Sequence, residues 1–396
     1  MTEEKKEFKR TEVGLIPEDW EIVKLGDLSD ITSSKRIMKS EYQKSGVPFY
    51  RSKEIIDKSR NTYEGSEIHI PTDRYESLKR NYGAPVDGEI LVSAVGTLGV
   101  TYLIKESDLP FYFKDGNLIW LRKISDKVEP NFLTFYFNSS RFEKEIDKTT
   151  AGSSQRALTI VKLKNFNIPL PPTLEEQQAI AEALSDVDEL IRSLGGLIQK
   201  KQSIKKGTMQ QLLTGIKRLP GFDGEWEMKK LGEVLNVCHG KSQKQVESAK
   251  GEYPILATGG QIGKASEYLY HKPSVLIGRK GTIDKPQYID EPFWTIDTLF
   301  YTEVKKNAVP KFLYYKFLLI DWRSYNEASG VPSLNSSTIE SVETKMPDDL
   351  SEQEAIVNIL DDMEQELQTL RQKREKYVQI KQGMMQELLT GRVRLV

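Results

Sequence analysis

Cysteine is nearly absent: Cys238 is alone in a chain of 396 residues. That excludes a disulfide framework and makes a reducing cytoplasm the expected compartment. No apolar run approaches the roughly 20 residues of a membrane-crossing helix, and none resembles a signal peptide. Histidine is scarce and scattered: His239 stands beside Cys238 without the further ligands of a structural zinc, and His69 and His271 read as core or surface residues. Gly259-Gly-Gln-Ile-Gly-Lys264 is one residue short of a phosphate loop, and Ala265 stands where magnesium would need a hydroxyl. Glu303-Val-Lys305 after Asp297 has the outline of a nuclease triad, but Glu-x-Lys arises readily by chance when 29% of the residues are charged. Also missing are an Asn-Pro-Pro-Tyr or Asp-Pro-Pro-Tyr run of the kind used against an adenine amine, and a glycine-rich strand-to-helix turn for a methyl donor. The chain is therefore expected to bind no metal or cofactor and to carry no catalyst of its own.

What is present is a repeat. Thr173 to Gly215 and Asp349 to Gly391 align without a gap, and over 173–219 against 349–395 they share 20 of 47 positions. In the first copy Ile180, Leu184, Val187, Ile191, Leu194 and Ile198 recur at spacings of four and three, the period of an apolar helical seam. Ile356, Leu360, Met363, Leu367, Leu370 and Tyr377 do the same in the second, interrupted at Arg374. Thr173 with Glu176, and Asp349 with Glu352, have the spacing of a capping box. Each copy closes on Leu-Leu-Thr-Gly, with Gly215 and Gly391 placed for a left-handed C-terminal cap. A helix of this length spans about 60 Å at ~1.5 Å per residue, so it acts as a spacer as much as a core element. Gly195-Gly196 predicts a bend, a break or a close packing contact in the first helix.

The duplication extends beyond the helices. Gly14 to Leu28 is answered by Gly221 to Val234, with Trp20 matching Trp226, Leu25 matching Leu231 and Gly26 matching Gly232. Residues 1–10 are charged and expected to be frayed, with order beginning near Gly14. Strands are predicted at Glu89–Val95, Asn117–Arg122, Ser274–Ile277 and Thr298–Tyr301, with Gly-Thr turns at Gly96 and Gly281. Phe132–Phe142 and Phe312–Tyr325 read as aromatic helices introduced by Pro130 and Pro310. The repeat unit is a globular segment followed by a long helix: residues 1–172 then 173–215, and residues 216–348 then 349–396. Between the shared landmarks the globular segments barely match, as expected of one scaffold carrying two different surfaces.

The net charge of −1 hides local patches. Lys35, Arg36, Lys39, Lys44, Arg51, Lys53, Lys58 and Arg60 are opposed only by Glu41, Glu54 and Asp57, and no acidic residue occurs from Leu190 to Phe222. A duplex binder needs such local positive potential, although about half of the second cluster is expected to complement a helix dipole.

This order of landmarks resembles the specificity subunit of a type I restriction-modification system. The residues that carry the likeness are Ile16-Pro-x-x-Trp-x-x-x-x-Leu-Gly26, Pro169-Leu-Pro-Pro-x-x-x-Glu-Gln177, Ser351-Glu-Gln353, and Met-x-x-Leu-Leu-Thr-Gly at Met209–Gly215 and Met385–Gly391. The second approach departs from the pattern, reading Lys345-Met-Pro-Asp-Asp-Leu350 without the full proline run. The resemblance implies an α+β protein: two similar α/β target recognition domains, separated by two long helices packed as an antiparallel coiled coil, in an internal pseudo-two-fold repeat. It implies binding to double-stranded DNA at an asymmetric bipartite site. The implied partners are two modification subunits, which methylate adenine with S-adenosylmethionine, and restriction subunits that use ATP and Mg2+; the cofactors belong to those partners.

Direct readout needs long donors that reach base edges, with further Lys, Arg, Ser and Thr on phosphates. In the first domain the candidates are Lys35, Arg36, Arg51, Lys53, Arg80, Asn81 and the loop Ser153, Ser154, Gln155 and Arg156; in the second, Lys241, Gln243, Lys244, Gln261, Arg279 and Lys280. Antiparallel helices would set half-sites about 34 to 36 Å apart, so that both meet one duplex face. Two other readings stay open: a coiled-coil adaptor outside DNA chemistry, and a DNA-binding regulator outside restriction-modification.

Overall fold

The computed structural model describes residues 7–150 and 156–395. The chain divides into two compact units, one formed by residues 1–193 with 374–396 and the other by residues 194–373.

The first unit is built on a four-stranded antiparallel sheet. Ile90–Ser93, buried at every position, lies between Leu118–Arg122 and Thr101–Leu103, and Asp30–Thr32 completes the other side. Val47–Tyr50 pairs antiparallel with His69–Ile70 and parallel with Tyr112–Phe113. Glu21–Lys24 pairs with Asn167–Leu170 just before the first long helix. The second unit repeats this plan. Its central sheet runs Leu235–His239, Leu299–Val304, Ser274–Gly278, Gln287–Ile289, its parallel pair is Tyr253–Ala257 with Trp294–Thr295, and Glu227–Lys230 pairs with Glu343–Met346. The two globular segments are thus one topology used twice, which their sequences barely reveal.

The long helices run Leu174–Leu213 and Leu350–Leu388. In the first unit Ile180 and Leu184 share a core with Leu388 and Leu389, and Asp188 pairs with Lys381. In the second unit Met209, Leu212 and Leu213 share a core with Ile356, Val357 and Leu360, while Lys201 pairs with Glu366 and Lys205 with Glu364. Rising numbers on one helix meet falling numbers on the other, so the helices pack antiparallel. Burial is complete at Ile180, Leu184, Ile356 and Leu360 and partial at Val187, Ile191, Met363 and Tyr377. The helix stays unbroken through Gly195-Gly196, and a Cβ at Gly196 would meet open space, so neither the break nor a close contact at Gly196 is found.

The helix ends correct the capping reading. Thr173 Oγ1 accepts from the Glu176 amide (3.2 Å) and Asp349 Oδ1 from the Ser351 amide (2.8 Å). Glu176 and Glu352, however, do not close a capping box; each is about 1% exposed and is held by an arginine that follows the far end of the other long helix. Arg394 Nη2 donates to Glu176 Oε2 (2.7 Å) and also forks onto Asp19 (3.0 Å to each oxygen). Arg218 Nε and Nη2 fork onto Glu352 (2.6 and 2.8 Å), and Trp226 Nε1 donates to Glu352 Oε2 at 3.2 Å. A carboxylate this buried needs a charged partner more than a cap. Gln177 and Gln353 act alike: their Oε1 atoms accept from the amides of Glu129 and Val309, both at 2.8 Å. Gly215 and Gly391 take the left-handed conformation, φ 73° and 69°.

Two further expectations change. Phe8–Thr11 is not frayed but forms a hairpin with Gly14–Pro17. The first aromatic helix splits into Pro130–Phe137 and Ser140–Thr150, because Asn138 Nδ2 and Ser139 Oγ donate to the carbonyls of Thr134 and Tyr136 and end the first helix. Its counterpart runs Pro310–Leu319, followed by a 3-10 turn at Trp322–Tyr325 that Asp321 caps.

Candidate nucleic-acid interface

The antiparallel register sends the turn after Thr32, the turn after Ser93 and the turn before Leu118 to one edge of the first unit's sheet. Side-chain hydroxyls tie them together. Ser33 Oγ donates to the Leu118 carbonyl (3.0 Å), Ser34 Oγ to that of Phe113 (2.6 Å) and Ser52 Oγ to that of Asn117 (3.2 Å). The amide of Leu158 donates to the Ala94 carbonyl (3.0 Å), so the segment from Arg156 onward joins the same edge. The second unit assembles the matching edge: the Lys241 amide donates to Thr295 O (2.8 Å), the Arg279 amide to Thr298 O (2.8 Å), and the Leu334 amide to Arg279 O (2.9 Å). Gly240 permits this approach, since a Cβ there would lie 2.0 Å from the Ile296 carbonyl oxygen.

The sequence candidates fall on these edges unequally. Lys35 is exposed, with its Nζ 4.8 Å from the ring centroid of Tyr82; Arg80 and Asn81, both exposed, precede Tyr82 in the helix Thr72–Tyr82. Arg36 is exposed and pairs with Asp115 at 3.0 Å, and Lys53 pairs with Asp57 at 2.8 Å. Such solvated pairs are worth little and exchange partners readily. Arg51 is different, because Glu54 beneath it is buried and 2.5 Å away. Burial alone would raise the Glu54 carboxyl, but hydrogen bonds from Arg51 hold it below the ordinary value, and Arg51 is correspondingly committed. Arg156 is exposed and pairs with Asp147; Ser153, Ser154 and Gln155 lie outside the described residues. In the second unit Lys241, Lys244, Gln261 and Lys280 are exposed, Gln243 is half-buried, and Arg279 is half-buried with Nη1 3.3 Å from the Asp297 carbonyl. Residues 114–117 and 295–298 share these edges without standing out in sequence; their signal is the small and polar run that precedes each returning strand.

Of the six basic residues from Lys200 to Arg218, three have a carboxylate partner. Lys201, Lys205 and Arg218 pair with Glu366, Glu364 and Glu352, more specifically than a dipole would require.

A model of the type I restriction modification DNA specificity domain matches residues 17–203 and again 223–379. The chain belongs to the type I restriction-modification specificity family. Among the relatives of this specificity subunit, a putative type I restriction enzyme MjaX specificity subunit from Methanocaldococcus jannaschii is 28% identical over 98% of this chain and 97% of its own length. The MjaVIII specificity subunit of the same organism is 33% identical over 54% of this chain and 49% of its own length. The fold matches a crystal structure of a type I restriction-modification S subunit from M. genitalium, with a TM-score of 0.62 over 93% of this chain and 96% of that one at 18% identity. No helix among the described residues is long and apolar enough to cross a membrane.

Proposed function

We propose that this specificity subunit binds double-stranded DNA at an asymmetric bipartite site, each unit reading one half, and that it scaffolds two modification subunits and the restriction subunits without catalysing a step itself. One observation carries the reading: two units of the same topology each gather polar and basic turns at the same sheet edge, but with different residues. Identical edges would favour a palindrome; Lys35, Arg36, Arg80 and Asn81 against Lys241, Lys244, Gln261, Arg279 and Lys280 favour two unlike half-sites. Arginine and lysine suit guanine, asparagine and glutamine suit adenine, and the remaining cations hold phosphates. Ser153, Ser154, Gln155 and Arg156 belong to the same proposed surface through the segment that follows them in the chain. Arg51, Lys53 and Gln243 take a positioning part in it. S-adenosylmethionine, ATP and Mg2+ would act on the partner subunits.

The test is salt-dependent binding of the full chain, alone and with a modification subunit, to random duplex fragments. Replacing Lys241, Arg279 and Lys280 with alanine is expected to reduce the salt slope by roughly one for each phosphate that is no longer neutralised. It should change the methylated adenine motif on one side of the spacer only. Deleting one heptad from both helices should shorten or abolish the accepted spacer. No binding in either state would leave the adaptor reading standing.

A further inference from the structure

A cleft of about 920 Å³ opens in the first unit between the hairpin turn at Glu12–Gly14, the helix Ser140–Thr150 and the last turns of the second long helix. Its floor is apolar, with Tyr136, Met385 and Leu389, and it holds the guanidinium of Arg141. Arg141 forms no hydrogen bond or ion pair with its side chain among the described residues, and its Nη1 is enclosed. The neighbouring ionisable groups that act on it are Tyr136 and the cation Arg392; burial pushes the guanidinium below its ordinary pKa. The carboxylates of the cleft are directed elsewhere or outward. Glu12 accepts from Asn167 Nδ2 at 2.5 Å, Glu145 lies 3.7 Å from Lys148, and Glu143 is exposed.

The second unit shows how such a place is filled when it is complete. There Lys316, at the position matching Tyr136, donates to the carbonyls of Leu213 (2.7 Å) and Lys345 (2.8 Å). The position matching Arg141 is Asp321, as Phe142 and Trp322 show: both are about 1% exposed, and each packs on a phenylalanine five residues earlier, at centroid distances of 4.6 and 4.9 Å. An enclosed guanidinium nitrogen without an anion is costly; the half-buried Arg141 leaves its Nη1 in that state, while the second unit has Asp321 at the matching position.

We propose that the Arg141 cleft receives an acidic side chain, with an apolar neighbour, from a modification subunit. This rests on the assembly proposed above and adds to it that the two units dock their partners unequally. A DNA phosphate fits less well: the rim carries balanced charge, Glu143 and Glu145 beside Lys144, Lys148 and Arg392, and so offers no positive track for a convex backbone, whereas one side chain can reach the enclosed Nη1 of Arg141. A bidentate guanidinium–carboxylate pair excluded from water supplies both affinity and register.

The test compares the full chain with its Arg141→Gln variant for affinity toward the purified modification subunit and toward duplex DNA. A loss of roughly tenfold or more in subunit affinity with DNA binding unchanged is expected. Should the variant misfold, phenylglyoxal labelling of the wild-type chain, read by mass spectrometry, decides instead: Arg141 is labelled in the free chain and protected by the modification subunit. Unchanged subunit affinity, unchanged labelling in the complex, or a loss confined to DNA binding overturns the cleft's role. A wild-type chain that binds no modification subunit overturns the assembly reading and the proposal with it.

Discussion

Replacing Arg394 with methionine tests the buried fastening at the start of the first long helix. Glu176 is about 1% exposed, and Arg394 reaches it at 2.7 Å with a side chain only 20% exposed itself. Removing one member of a buried pair leaves an uncompensated charge and costs about 3–5 kcal/mol. Burial already raises the Glu176 carboxyl despite Arg394, and without the arginine it rises further. The folded state then holds a proton that the unfolded state has released, so stability falls as pH rises above the unfolded carboxylate range. The loss in Arg394→Met is therefore expected to be about 3–5 kcal/mol near pH 8 and to shrink by about 1.4 kcal/mol per pH unit below the raised pKa. Hydrogen-exchange mass spectrometry of the peptides around Leu388–Thr390 reports this locally, while peptides from the second unit serve as an internal reference. Adding Glu176→Gln should recover most of the loss. A cost below about 1 kcal/mol at every pH, or one that does not change between pH 8 and pH 5, would refute the reasoning.

Lys316 is buried against two carbonyls with no carboxylate beside it, and burial lowers its pKa to about 8. Its folded value lies below its unfolded one, so stability is expected to increase by about 2 kcal/mol from pH 7 to 9.5. Lys316→Met should flatten that rise in urea titrations. Gly391→Ala should cost more than Gly215→Ala, because both add roughly 1–2 kcal/mol of left-handed strain but the new Cβ meets Pro17 Cγ at 2.4 Å in one case and Trp226 Cε3 at 3.1 Å in the other. Thermal melting of both variants checks the order.

The repeat, the two helices and their glycine ends are legible in the sequence because they rest on local periodicity and on turns that only certain residues allow. The seam is legible for the same reason: Ile180 and Leu184 on one helix, Ile356 and Leu360 on the other, are buried as their spacing predicts. The crosswise arginines are not. Arg218 and Arg394 sit 134 and 218 residues from their glutamates, and nothing in a run of basic residues tells a phosphate ligand from the partner of a buried carboxylate. The common topology of the two globular segments is hidden too, since a sheet constrains only alternation and burial and leaves most identities free. For the candidate edge, composition points to the basic turns, but strand pairing decides which of them meet. In sequence Arg51 looks as available as Arg36; the buried Glu54 beneath it sets the two apart.

The crosswise fastening has a mechanical consequence. Where Arg394 grips both Glu176 and Asp19, the segment after the second long helix is held at once to the first turn of the first long helix and to the turn before Glu21–Lys24, all within the first unit. Losing that one guanidinium frees two carboxylates together, so these three segments are expected to loosen in a single cooperative step and not one by one.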